Sequence, residues 1–191
     1  VPAIIDIPYL EGGRDLCVTG SCILTASSSP LGKAIRCFEG HDAYCSHAAP
    51  VVRYPANMVR EERVTLIEAL EHGLTPTYLS HYFRDFEGTL YLFVPHGLTV
   101  EVQEAFRFYL MDMMLKQTPY DYPDLFKQIM GRVREDDEKL FCSEAFGFAT
   151  EYAGLKRKTS APQGFAPQPP DISKWWDGVL YRLIGPFYRA A

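Results

Sequence analysis

Three stretches of the chain carry the apolar pattern of β-strands. Ser46 to Tyr54 is the first, closed by the breakers Pro55-Ala56-Asn57. Arg63 to Ala69 is the second, with Val64, Leu66 and Glu68 pointing one way and Thr65, Ile67 and Ala69 the other. Thr89 to Pro95 is the third, rich in Leu, Tyr, Phe and Val. A shorter apolar run, Val18 to Thr25, leads into the loop Ala26-Ser27-Ser28-Ser29-Pro30. Leu31 to Phe38 has room for one or two helical turns, ended near Gly40. Short connections favour antiparallel pairing of these strands.

Helical spacing takes over afterwards. Thr99 to Lys116 repeats Val102, Phe106, Tyr109, Leu110 and Met113 on one face, with Thr99 as N-cap and Pro119 beyond its end. Leu140 to Ala153 is a second helix, with Gly154 suited to the residue after its C-cap. Gln163 to Pro170 reads as an extended, Pro-rich connector. Ser173 to Arg189 carries Trp175, Trp176, Val179, Leu180, Leu183 and Ile184, and reads as an amphipathic helix, or two turns broken near Gly185-Pro186. Strands in the middle with helices around them predict an α+β fold. The expected organisation is one domain over 1–191, with 163–191 as connector and helical extension.

Composition narrows the function. The chain has 191 residues, 47% hydrophobic and 23% charged, which suits one globular domain and not a disordered tail. The net charge of -5 supplies no basic field for nucleic-acid phosphates, and no basic patch is evident for an anionic membrane. No apolar run approaches the roughly 20 residues of a membrane-spanning helix. The start, Val1-Pro2-Ala3-Ile4-Ile5-Asp6, lacks a basic region and is interrupted by an acid, so it does not read as a signal peptide. The chain begins without Met, which leaves a removed leader open. A soluble protein of open compartment and oligomeric state is expected.

The five cysteines are an odd number, so at least one thiol has no partner within the chain. Cys17, Cys22 and Cys37 sit in or beside apolar stretches, where Cys behaves as a small buried hydrophobe. Cys142 differs: it opens the helix Cys142-Ser143-Glu144-Ala145-Phe146. There the helix dipole and unpaired N–H groups favour thiolate over thiol. A nucleophilic thiol needs a base, and the base an orienter. His41, His72, His81 and His96 fall in loops or at element ends, where solvation is the plain reading. His47 lies inside an apolar strand, where a hydrogen-bonded core His and a catalytic base are both consistent. Glu68 is an acid among Leu66, Ile67, Ala69 and Leu70, a position that calls for a partner. If the two strands are neighbours, Glu68 accepts from one imidazole nitrogen and the other faces Cys142.

These segments in this order resemble a known family. Tyr44-Cys45-Ser46-His47-Ala48, Leu66-Ile67-Glu68-Ala69, Thr118-Pro119-Tyr120-Asp121-Tyr122 and Leu140-Phe141-Cys142-Ser143-Glu144-Ala145 are similar to the permuted papain-like cysteine hydrolases. These are the YiiX-like relatives of NlpC-type cell-wall peptidases, and more distantly of lecithin retinol acyltransferase. The resemblance covers about Gly20 to Gly154. It implies an antiparallel sheet or small barrel packed against helices, with the Cys at a helix N-terminus. It implies Cys142 as nucleophile, His47 as general base and Glu68 as orienter, in an order reversed from papain itself. It implies the Cys142 backbone N–H as one oxyanion donor, with Tyr44 or Tyr120 as candidates for a second. Ser21 stands where the family has Asp, Cys45 precedes the Ser-His pair, and a usual Gly near Thr118 is replaced.

The reading that follows is a thiol hydrolase working through an acyl-enzyme thioester on a cell-wall peptide or a lipid amide or ester, with no cofactor. An acyltransferase shares that chemistry. The alternative from another class is a non-catalytic binding or structural module on the same fold, such as an envelope or virion component. A third class, a metal protein using His41, Asp42, Cys45 and His47, is disfavoured because Cys45 and His47 can converge on one strand face but Asp42 needs a turn to join them, and no Cys-x-x-Cys pair accompanies them. The aromatic surplus of 14% and the Trp175-Trp176 pair read first as core and second as a cleft lining.

Overall fold

The computed structural model describes residues 3–30, 33, 36, 43–55, 57, 63–70, 73–116, 142–158 and 168–187, with the backbone alone at 70, 85 and 142. The strands are β1 (Ile4–Pro8), β2 (Cys22–Ser27), β3 (His47–Arg53), β4 (Val64–Leu70), β5 (Gly73–Tyr78), β6 (Gly88–Pro95) and β7 (Gly178–Ile184). The helices are α1 (Gly13–Leu16), α2 (Leu79–Asp85), α3 (Val100–Leu115), α4 (Cys142–Tyr152) and α5 (Ile172–Trp175). The strands form one seven-stranded sheet in the order β1-β7-β6-β2-β3-β4-β5. Its pairings are antiparallel except β1 with β7, which is parallel. With β1 and β5 as edges the sheet is open, so the expected α+β class holds and the small-barrel alternative does not.

Alternation along the strands builds two cores. Cys22, Leu24, Ala48, Val52, Ile67 and Ala69 face one side, where α3 and α4 bring Phe106, Leu110, Phe146 and Ala149. Ile23, Ala49, Val51, Val64 and Leu66 face the other, where Leu79 of α2 joins them, with Tyr82 and Phe83 at its margin. The Thr99 cap expected for α3 and the Gly154 stop expected for α4 are both present. The Thr99 side chain accepts from the Val102 N–H at 3.3 Å, capping α3. Just beyond α4, Gly154 takes φ +87°, a left-handed conformation that a residue without Cβ adopts readily.

Two prolines shape the sheet near its β5 edge. Val51 donates to Ser21 O and accepts from Gly20 N, so its backbone groups point toward β2. Its neighbour Pro50 therefore faces β4, and has no N–H to offer there. The β3–β4 ladder accordingly covers Val51–Arg53 against Val64–Leu66, and stops short of Pro50. His47 to Pro50 pair with β2 instead. The other, Pro76, lies in the edge strand β5, where a missing donor is tolerated.

The C-terminal segment corrects the sequence reading. Ser173 to Arg189 is not an amphipathic helix: α5 ends at Trp175, and Gly178–Ile184 is a strand between β1 and β6. Leu180 packs on the α3/α4 side and Leu183 on the α2 side. A strand that sends apolar residues to both faces loses its period of two, and those residues then fall at spacings that also suit a helix. Trp176 is fully buried against Phe146, as packing rather than cleft lining requires. Leu31–Phe38 and the Gln163–Pro170 connector lie largely outside the described residues, apart from a 3₁₀ turn over Pro169–Asp171. The strand β5 and helix α2 have no counterpart in the sequence reading.

Candidate functional site

The open end of the β3–β4 ladder is where two of the three expected catalytic side chains meet. His47 is the first residue of β3, and Glu68 lies in the half of β4 beyond its ladder with β3. His47 Nε2 is 3.1 Å from Glu68 Oε1. The carboxylate is buried at 5% exposure, while the imidazole is partly exposed, so one end of the pair is dry and the other reachable. The Tyr82 hydroxyl donates to the same Oε1, and the Thr77 side chain supplies a further hydrogen bond to the carboxylate. Neither Tyr82 nor Thr77 belongs to any motif in the sequence. Their signal is tertiary: they come from α2 and β5.

Burial by itself raises the Glu68 carboxyl, but the hydrogen bonds from His47 and Tyr82, the charge of His47 and the Thr77 bond outweigh it. The group is held below its ordinary 4.5. A carboxyl lowered in the folded state stabilises the fold above its ordinary pKa, and that contribution is lost as pH falls through the folded value. Glu68→Gln is therefore expected to lower stability at neutral pH, with the deficit shrinking as pH drops below about 4.5. Thermal unfolding of both proteins across that range measures it. A deficit independent of pH would show that ionisation of Glu68 contributes nothing.

Cys142 is the first described residue of α4, the helix that the sequence places over Leu140 to Ala153. The body of α4 packs against β3 and β4 from the face opposite α2. Tyr44, a candidate oxyanion donor, has its hydroxyl 2.7 Å from Ser173 Oγ and its ring edge-on to Tyr91, on the α4 side of the sheet. Burial pushes its phenol up. Tyr120, the other candidate, lies outside the described residues, as do Cys37, His41, Asp42 and His72. Cys17, Cys22 and Cys45 are buried, and burial pushes the Cys17 thiol up to about 12. His96 is exposed beside Asp177 at 3.2 Å, and His81 is exposed on α2.

Among the described residues no three His, Cys, Asp or Glu side chains gather to hold a metal ion. No helix among them is long and apolar enough to cross a membrane. No protein-family model and no curated protein matches the chain. A solved structure does: metalloprotein YiiX from Escherichia coli O157:H7, with a TM-score of 0.64 and 19% sequence identity, over 88% of this chain and 98% of that one. The likeness is one of fold, over 88% of this chain.

Proposed function

We propose that the protein is a thiol hydrolase in which Cys142, His47 and Glu68 act as nucleophile, base and orienter. The observation that carries this is the buried, triply hydrogen-bonded Glu68 holding His47 by Nε2, at the end of β3 where the sheet opens. In this reading Nδ1 is the imidazole nitrogen that serves the thiol, and Cys142, in the first turn of α4, is the thiol that meets the pair where the β3–β4 ladder ends. In chain order the triad runs His47, Glu68, Cys142, the permuted order of the YiiX-like family that the motifs resemble.

In this mechanism His47 Nδ1 takes the Cys142 proton, and the thiolate Sγ attacks the carbonyl carbon of an amide or ester. The oxyanion of the tetrahedral intermediate is met by the Cys142 N–H at the helix start. The imidazolium returns its proton to the departing amine or alcohol, leaving a thioester on Sγ. Water, deprotonated by His47, then releases the acid; another nucleophile in its place makes the enzyme an acyltransferase. The substrate is a cell-wall peptide or a lipid amide or ester. YiiX is named a metalloprotein, but no step here is routed through a metal.

Timed alkylation with iodoacetamide, mapped by peptide mass, tests the reading on the native protein. Cys142 is expected to react well before the buried Cys17, Cys22 and Cys45, and to keep reacting below pH 7 as a paired thiolate does. A Cys142 that titrates near the ordinary thiol value of about 8.5 would favour a non-catalytic module on this fold.

A further inference from the structure

Glu68 Oε1 is shared. It accepts from His47 on β3 and from Tyr82 on α2, the helix that covers this face of the sheet. The state of that one oxygen decides which tautomer His47 adopts. An ionised carboxylate accepts Nε2–H and leaves a lone pair on Nδ1. A protonated one donates to Nε2 and moves the ring proton to Nδ1, where it blocks uptake of a thiol proton. We infer that Tyr82 is a positioning residue of the site: its hydroxyl, donated to Glu68 Oε1, keeps the carboxylate an acceptor and so fixes His47 as the Nε2–H tautomer. The inference rests on the triad proposed above.

The surroundings leave few other groups for this task. Of the elements packed against β4, β3 carries His47 and, at its far end, Arg53, while β5 carries Tyr78. Helix α2 carries Tyr82, its His81 and Arg84 being exposed, and the first turn of α4 carries Cys142 and Glu144. The titratable side chains bonded to the Glu68 carboxylate, among the described residues, are His47 and Tyr82. Thr77 adds a third donor that does not titrate in this range. Against the burial of this carboxyl, removal of one donor moves it toward protonation.

The test is the pH profile of Cys142 alkylation by iodoacetamide. Tyr82→Phe deletes the O–H and keeps the ring that packs 5.5 Å from Phe86. The acid limb of the profile is expected to move up by about one pH unit, with the rate above about pH 8.5 changed less than about twofold. In a Glu68→Gln background, Tyr82→Phe should move the limb no further. Replacing Tyr82 by 3-fluorotyrosine, which keeps the size and sharpens the donor, should move the limb down, and this variant serves if Tyr82→Phe does not fold. An unmoved limb in either variant, even with a lower melting temperature, overturns the inference and leaves Tyr82 a packing residue. The triad itself fails differently: wild-type Cys142 would then titrate as an ordinary thiol.

Discussion

Cys142→Ala is expected to abolish acylation of the protein by an activated ester, read as loss of the acyl mass on the peptide that contains residue 142. His47→Ala should slow the same acylation by about 10²- to 10⁴-fold, the usual span for a positioned general base. The two effects differ in kind. Without the thiol there is no atom to carry the acyl group; without the imidazole the thiol remains, but its proton must leave unaided. Glu68→Gln should fall between His47→Ala and wild type, because the acid acts only through the ring. The buried thiols offer no substitute: Cys17 is inside the α2-side core with its pKa pushed up to about 12, and Cys22 and Cys45 lie inside the other. Acylation that persists in Cys142→Ala, or that maps to another residue, would remove the nucleophile from the proposal.

The pairing of His47 with Glu68 was legible because burial makes strong demands on charged side chains. An acid flanked by Leu66, Ile67 and Ala69 needs a donor, and the alternation of β3 and β4 puts both residues on one face. What the sequence does not display is how many donors the acid gathers. Tyr82 sits in a seven-residue helix without a side-chain cap, following a strand that contains Gly73 and Pro76, and neither element announces itself by period or by breaker. The contact of Tyr82 with Glu68 arises only when α2 folds back over β4.

The same contrast runs through the fold. Helices α3 and α4 stand on one face of the sheet and bury apolar residues at helical spacing, as Phe106, Leu110 and Met113 do in α3. Strands β3 and β4 are buried on both faces, and their successive residues divide between the two cores. In β7, Leu180 and Leu183 serve different cores, so their spacing carries no period of two. β1 pairs with β7 in parallel from the opposite end of the chain, a contact for which no local pattern exists. The opening of the β3–β4 ladder, by contrast, is written in one residue: Pro50, with no N–H on the β4 side.

Phe146→Ala is expected to destabilise the protein by about 3–5 kcal/mol, the usual cost of truncating a large buried aromatic. Phe146 is fully buried on α4 and touches three elements at once. Its ring centroid lies 6.3 Å from Phe93 on β6, 5.9 Å from Phe106 on α3 and 5.6 Å from Trp176 after α5. Each contact is edge-on or nearly so, a geometry that adds to the burial itself. Against a total stability of about 5–15 kcal/mol, the loss is large enough to read directly as a lower urea midpoint with an unchanged slope. Phe146→Leu keeps most of the volume and should lose less. The pair of variants also separates anchoring from chemistry, because Phe146 lies one turn along the helix that Cys142 opens. Under native conditions, with each variant still folded, alkylation of Cys142 should slow more in Phe146→Ala than in Phe146→Leu, as the helix loses its hold on the sheet. Equal rates in both would mean that the start of α4 is held by something other than this aromatic cluster.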